Sequence, residues 1–495
     1  MTEATPHRLF INNEWREGGA GTYPVINPGT EGLVGHAPEA SAQDVADAVA
    51  AARAAQAEWA ATAPAKRAAL LDRIADLVLE RAADFVPLLQ AETGATIRVA
   101  SAMQLPVVAD RFRRYARGAL EPAVESFPAY PVAATPLAAG GLTNAAAARR
   151  PVGVVGCITS YNFPIVNLAG KLAPALAMGN TVVAKPAPQD PLACLKLGEI
   201  FVEAGAPAGL FNVVTDSGAA AGAALVASPD VDMISFTGST AVGRRIATDG
   251  GATMKRLLME LGGKGAAIVL EDADLAKAVQ AIGSTWAFHS GQICTAPTRA
   301  LVHRSRYDEV VAGLAHFASR LPVGDPLSQS TVVGPVISAA HRDRVEGYIS
   351  GALAEGARLV LGGTRKEHTP DTPELPGTGF FVAPTLLADV TAAMTIAREE
   401  VFGPVVVVIP FEDEEEALAI ADSTEYGLYD YVFTADTARA YGLAARLRSG
   451  NVGINTAQRH PETPFGGFKQ SGVGRDGGSF GLHAYSEQQA IVWQS

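Results

Sequence analysis

Cys294 lies in the stretch FHSGQICTAP, Phe288 to Pro297, and is one of only three cysteines in 495 residues. Buried cysteines usually sit in apolar strands and helices, where they act as small hydrophobes. This one is surrounded by Gly, Ser, Thr and Pro, with His289 and Gln292 close in sequence. It reads as a stray loop thiol or as a nucleophile on display. Cys157 in VVGCI and Cys194 in LACLKL lie in apolar runs and read as packing. His289 and Cys294 lack the second Cys/His pair that a structural metal site needs, so no metal is expected.

A thiol is mostly protonated at neutral pH and needs helpers to act as a nucleophile. Three stretches offer them. Asn162, in YNFP after the run PVGVVGCITS, carries an amide that could donate to a developing oxyanion. An Asx-turn before a helix explains that residue as well. Glu260 ends the apolar run KRLLME, where desolvation would lift a carboxylate towards the range of a general base. A boundary glutamate paired with Lys264 is the alternative. Lys185 ends TVVAK, at the place where doubly wound proteins read the adenosine ribose. A surface lysine is the alternative there. Together, the four residues suit one reaction. A thiolate adds to an aldehyde, the adduct gives up hydride to a nicotinamide, and carboxylate-activated water releases the acid.

The elements that must hold these residues follow from the pattern of apolar runs. Residues 44–120 read as amphipathic helices. Residues 121–150 are rich in Pro and Gly and read as an exposed hairpin or arm. From Pro151, buried strands such as VVGCI, TVVAK, FNVV, MISFT and RLLME alternate with helix-length stretches. That alternation predicts a parallel, doubly wound sheet. A second α/β series begins near Gly263, with AAIVL, TRALVHR, ARLVLGG, PVVVVIPF, YDYVFTAD and NVGIN as strands. The acidic run EDEEEA at 412–417 marks a helix start, where the dipole favours carboxylates. A GxGxxG at 472–477 follows a loop rather than a strand and is discounted as a phosphate site. SFTGSTAVGRR is the better candidate, with Ser239 capping a helix whose free N–H groups face outward. An ordinary capped helix explains it equally.

The totals set limits. A chain of 495 residues predicts two or three domains. A formal charge of −12 offers no basic surface for nucleic acid. The start MTEATPHRLFINNEW lacks the basic flank and apolar run of a signal peptide, and the longest apolar stretch, 165–184, is interrupted by Lys171 and Asn180. No membrane partner is expected. Three cysteines make no disulfide framework, which points to a reducing cytoplasm.

Seven motifs in order resemble the aldehyde dehydrogenase superfamily over nearly the whole chain: YNFP at 161–164, VVAKP at 182–186, FTGST at 236–240, MELGGK at 259–264, GQIC at 291–294, EEVFGP at 399–404 and PFGGFKQSG at 464–472. The resemblance implies an NAD(P)-dependent aldehyde dehydrogenase with that family's α/β fold. Its Rossmann-type dinucleotide-binding domain would be residues 1–123 and 152–262, its catalytic domain 263–481. A small β arm, 124–151, and the tail 482–495 would serve oligomerisation into a homodimer or homotetramer. The resemblance makes Cys294 the nucleophile, passing through a thiohemiacetal and a thioester. Glu260 becomes the base, and Asn162 with the Cys294 N–H the oxyanion hole. Lys171 and Asp476 match a proton relay, although Asp is shorter than the family's usual Glu. Lys185 and Glu400, rather than Glu399, would hold the ribose hydroxyls, Ser239 the pyrophosphate, and Phe402 the nicotinamide ribose. Ile158, Thr159, Ser160, Gly218, Phe236, Gly238, Val242, Leu261 and Gly262 would complete the cofactor site.

The sequence also departs from that pattern. Relatives selective for NAD often carry a glutamate three residues after the ribose lysine, and Pro188 stands there. That leaves NADP open beside NAD, the cofactor expected first. Phe163 and Phe465 match tunnel-lining positions, and Tyr161 and Phe288 would add aromatic surface. These suit an aromatic or medium apolar aldehyde, as in the benzaldehyde-dehydrogenase-like branch, which the KPxP form also resembles. Arg459, in NTAQRHPETPFGG, offers the alternative of a semialdehyde or carboxy-substituted aldehyde; a solvated or interface arginine is the plainer explanation. A non-redox cysteine thioesterase would leave FTGST and EEVFGP without a purpose. A CoA-acylating relative would not need Glu260, and a retired scaffold would not keep the whole set.

Overall fold

A computed structural model describes residues 7–494 of the chain. Residues 1–6, at the start read above for a targeting segment, and Ser495 lie outside the described residues.

The strands read from Pro151 onward form. Val154–Ile158, Thr181–Lys185, Phe211–Val213, Met233–Thr237 and Arg256–Glu260 run parallel in one sheet. Most of their residues are buried, as a sheet covered on both faces requires. Register matters most here. Glu260 pairs with Thr237, Phe236 with Ile158, and Ile158 with Lys185. The residues singled out for chemistry and for ribose binding therefore share the C-terminal edge of the sheet, where ligands of such sheets bind.

Antiparallel strands extend both edges. Leu9–Ile11 pairs with Phe211–Val213 and with Glu14–Arg16, and Gly472–Val473 pairs with Arg256–Glu260. The discounted GxGxxG thus begins as an edge strand, with Gly472 opposite Glu260. The chain has returned to the first sheet there, earlier than the expected boundary at 481. Leu482 and Tyr485 pack in the first core.

The helical reading of 44–120 holds for Ala42–Ala61, Pro64–Glu80, Ala82–Thr93 and Leu105–Gly118. It is interrupted where Gly94, at φ 69°, ends the third helix. A short helix Ile97–Val99 and a π turn Ala100–Gln104 then lead into the fourth. Ser41 opens the first with a capping box to Asp44.

A second, seven-stranded sheet follows in the order Arg358–Leu361, Thr385–Ala388, Val405–Phe411, Arg299–His303, Ala266–Val269, Tyr429–Phe433, Asn451–Ile454. Only its first strand is antiparallel to its neighbour. Asp413 caps the helix Glu414–Asp422, so the acidic run is the helix start expected of it. The Pro/Gly-rich stretch is a hairpin, Val124–Val132 and Gly141–Pro151, joined by Ser486–Gln494 in a separate three-stranded sheet.

Asn180 ties three parts of the first unit. Its Oδ1 accepts from Gly153 N at 2.8 Å, and its Nδ2 donates to the Ala175 and Tyr485 carbonyls at 2.9 Å. It is fully buried, so Asn180→Ala strands several polar groups. Denaturant unfolding should show a loss of about 3 kcal/mol; a loss within error would mean these bonds contribute nothing net.

Candidate active site

The strand Arg256–Glu260 delivers a carboxylate into a nearly closed space. Glu260 is 4% exposed, and neither of its oxygens has a hydrogen-bond partner among the described residues. Burial holds its pKa well above the ordinary carboxylate value, and Asp476 adds to the effect. Lys171, Arg459 and Arg475 pull it back. The pairing with Lys264 weighed above is not formed. Lys264 is itself buried, which lowers its pKa to about 7.

Asn162 follows the strand Val154–Ile158. Its Oδ1 accepts from Ser160 Oγ at 2.9 Å and from Asn167 Nδ2 at 3.0 Å. That pattern fixes the amide with its nitrogen towards the cysteine loop, where Nδ2 donates to the Gln292 carbonyl at 2.9 Å. An amide nitrogen carries two hydrogens, so one remains for a ligand oxygen.

The loop bearing Cys294 is strained and tightly held. His289 and Ser290 adopt φ of 49° and 57°, unusual for residues with a side chain, and Gly291 follows at 71°. A Cβ on Gly291 would overlap the Gly403 carbonyl. His289 Nε2 bonds the Asn162 carbonyl at 2.6 Å, Ser290 Oγ donates to Gly334 O at 2.7 Å, and Gln292 Oε1 accepts from Ile337 N at 3.0 Å. Burial lowers the pKa of His289 to about 4, so its ring stays neutral, and its Nε2 anchors the loop on the Asn162 carbonyl. Cys294 keeps part of its surface open. Burial, then Glu400, push its thiol up to about 12, with Arg459 opposing. Cys157 and Cys194 are fully buried, as their apolar runs predict.

One cavity of about 770 Å³ brings Cys294, Glu260 and Asn162 together. Tyr161, Phe163, Arg459 and Phe465 line it too. Phe288 does not. Its ring packs with the first hydrophobic core, because the turn that strains His289 directs it away from the cavity. Lys171 is buried behind the cavity, its Nζ 3.9 Å from Asp476 Oδ2 and without a hydrogen-bond partner among the described residues.

On the cofactor side the cavity takes in Ser160, Gly238, Ser239, Leu261, Gly262, Glu400 and Phe402. Ile158, Thr159, Lys185, Gly218, Phe236 and Val242 lie outside it, along the continuing strand edge. Three features fit a dinucleotide. Ser239 caps the helix Thr240–Gly250, accepting from Val242 N at 3.4 Å, and leaves other first-turn N–H groups free. Thr159 Oγ1 is buried with no partner among the described residues. A Cβ at Gly218 would meet nothing within 4 Å. Glu400 accepts from Gly263 N at 2.9 Å, and burial raises it to about 7. Glu399 turns outward to Tyr348, which donates to it at 2.6 Å.

Some lining residues escaped the sequence reading. Arg111, on the helix Leu105–Gly118, enters the cavity with one recorded hydrogen bond, to Val166 O at 2.6 Å. His341 and Arg344 hold the segment of Glu400 and Phe402 through backbone carbonyls. Nothing in a helix of alternating charge marks which arginine turns inward.

The raised thiol pKa has a sign that can be tested. Alkylation of Cys294 by iodoacetamide in the cofactor-free protein should keep climbing with pH past about 9, because little thiolate exists below that. A plateau near neutral pH would contradict the burial effect. Cys157 and Cys194 should stay unmodified until unfolding.

Comparison with known proteins identifies the family. Residues 15–491 match the aldehyde dehydrogenase family. A chloroplastic betaine aldehyde dehydrogenase of Beta vulgaris is 39% identical, covering 98% of this chain and 96% of its own. A 3-succinoylsemialdehyde-pyridine dehydrogenase of a Pseudomonas species is 38% identical, covering 98% of each. The NAD⁺ complex of a Bacillus cereus aldehyde dehydrogenase superposes with a TM-score of 0.91 at 36% identity, over 99% of this chain and 97% of that one. The chain belongs to the aldehyde dehydrogenase family.

Proposed function

We propose that this enzyme oxidises an aldehyde to the carboxylic acid with NAD through an acyl–Cys294 thioester, and that the preferred aldehyde carries a carboxylate. The observation that carries the chemistry is an unpartnered, buried Glu260 carboxylate in one cavity with Cys294 and the free hydrogen of the Asn162 amide. Lys185 and Glu400 would hold the cofactor's ribose hydroxyls, Ser239 and the helix Thr240–Gly250 its pyrophosphate, and Phe402 would flank the nicotinamide. NAD, when bound, supplies the acceptor for hydride.

The Cys294 thiol gives its proton to water, the thiolate Sγ attacks the carbonyl carbon, and a C–S bond forms as the C=O becomes an oxyanion. Asn162 Nδ2 and the Cys294 N–H stabilise that oxygen. Loss of hydride from the carbon restores the carbonyl as a thioester. Glu260 then takes a proton from water, the hydroxide adds to the thioester carbonyl, and the C–S bond breaks to release acid and thiol. Lys171 and Asp476 stand where they would pass the Glu260 proton outward. A bound NAD pool and water suffice for the balance; no thiol acceptor is needed.

The aromatic expectation fares less well. The two relatives are named for betaine aldehyde and for a pyridine semialdehyde, so they do not share an aromatic specificity. The rings are also occupied: the Arg459 guanidinium lies 3.7 Å from the Phe465 centroid, and Phe163 lies tilted against His289 with ring centres 5.0 Å apart. Arg111 and Arg459 instead give the cavity two guanidinium groups with no ion pair among the described residues. A quaternary ammonium substrate would meet repulsion there, whereas a carboxylate would find charge-assisted hydrogen bonds. The exposed Phe127, Tyr130, Leu142, Val492 and Trp493 of the three-stranded arm support a homodimer or homotetramer.

Two measurements test this. Arg111→Ala and Arg459→Ala should each lower kcat/KM for a carboxylated aldehyde about tenfold relative to a neutral one of matched length. An unchanged ratio in both variants would sink the carboxylate reading. Separately, the raised Glu260 pKa keeps the carboxyl protonated at pH values where ordinary carboxylates are charged. Acyl-enzyme hydrolysis should therefore keep rising with pH above the ordinary carboxylate range in wild type and flatten in Glu260→Gln. A flat wild-type profile would contradict the base assignment.

A further inference from the structure

We infer that Asp216 is the residue that makes this enzyme prefer NAD to NADP. The inference rests on the cofactor reading above and deepens it. Pro188 leaves the usual position of an acidic discriminator empty of charge. The structure supplies a carboxylate from the neighbouring strand instead.

Lys185 ends the strand Thr181–Lys185, and Asp216 follows the parallel strand Phe211–Val213 beside it. Lys185 Nζ lies 2.6 Å from Asp216 Oδ1 and donates to the Gly218 carbonyl at 3.2 Å. The two side chains are 6% and 1% exposed. Asp216 is fixed from its other side, where Oδ2 accepts from Ala221 N at 2.8 Å at the start of the helix Ala220–Ala227. The carboxylate cannot leave the lysine without giving up that bond. The ligand side of the loop is open at Gly218, where a Cβ would meet nothing within 4 Å.

The charge around this pair has one sign. Glu39 accepts from Ser217 N at 2.9 Å and from Ser217 Oγ at 3.2 Å. Asp190 lies buried nearby with both oxygens unpartnered among the described residues; burial, then Glu92, hold its pKa well above the ordinary carboxylate value. Among the described residues, Lys185 is the cation paired into this group. A ribose with a free 2′-hydroxyl is neutral. It can accept from Lys185, while Asp216, whose Oδ1 is buried against that lysine, balances the charge. A 2′-phosphate brings nearly two negative charges to a lysine already neutralised and to a carboxylate beside it. Both side chains are buried, so solvent screens the repulsion weakly.

Calorimetric titration with NAD and NADP tests the assignment without turnover, using wild type, Asp216→Asn and Asp216→Ser. Both substitutes keep an oxygen acceptor for Ala221 N and remove the charge. Wild type should bind NAD at least about tenfold tighter than NADP, and each variant should tighten NADP about tenfold while NAD moves less than about threefold. The fragments 5′-AMP and 2′,5′-ADP should show the same split, because they carry only the adenosine end. An unchanged NADP-to-NAD ratio in variants that still bind NAD would overturn the assignment. So would a wild type that holds both equally, or loss of NAD in both variants, which would make Asp216 purely structural. A wild type that binds neither nucleotide would remove the cofactor reading itself, and this inference with it.

Discussion

A carboxylate buried without a hydrogen-bond partner is the costliest feature of this site, and the surrounding structure is arranged to keep it there. Glu260 cannot be relieved by sliding along its strand. Its backbone is locked on both sides, to Thr237 in the parallel sheet and to Gly472 on the antiparallel edge. A one-residue slip would turn its side chain to the other face and move every neighbour with it. Nearby cations stay at a distance: Lys171 pairs loosely with Asp476, and Arg459 is drawn over Phe465. The result is a carboxylate whose proton affinity is raised above the ordinary value, as a general base requires.

The second sheet answers with the thiol. Its loop is forced through two left-handed residues and a glycine that no other residue could replace, then pinned at His289, Ser290 and Gln292. Those same bonds reach across to the first unit. His289 bonds the Asn162 carbonyl, and Asn162 donates to the Gln292 carbonyl. Nucleophile and oxyanion donor are therefore positioned against each other by two reciprocal contacts. Such preorganisation is what stabilises charge as it develops.

How much of this was visible beforehand depends on the kind of signal. Glu260 and Asn162 stood out because they follow apolar runs, and Cys294 because it sits in a loop of Gly, Ser, Thr and Pro; the fold brings the three to one cavity. The parallel strands were equally plain, since burial on both faces writes continuous runs of Val, Ile and Ala. Leu9–Ile11 and Glu14–Arg16 were not, being too short to show alternation. Arg111 was hidden in DRFRRYARG, where a helix face of charges looks uniformly solvated until its neighbour is known. Asp216 carried no signal of its own in VVTDSG, because only the strand order reveals that Lys185 lies beside it. Phe288 was misplaced for the opposite reason: it is close to Cys294 in sequence, but the strained turn points it into the core.

The most direct test is to stop the reaction between its two halves. Glu260→Gln, mixed with NAD and a reactive aldehyde, quenched in acid and digested, should yield a peptide containing Cys294 with the mass of the acyl group added. One equivalent of reduced cofactor per active site should appear in the same burst. A Glu260→Gln enzyme that turns over at the wild-type rate, or an acyl group found on any residue but Cys294, would contradict the account.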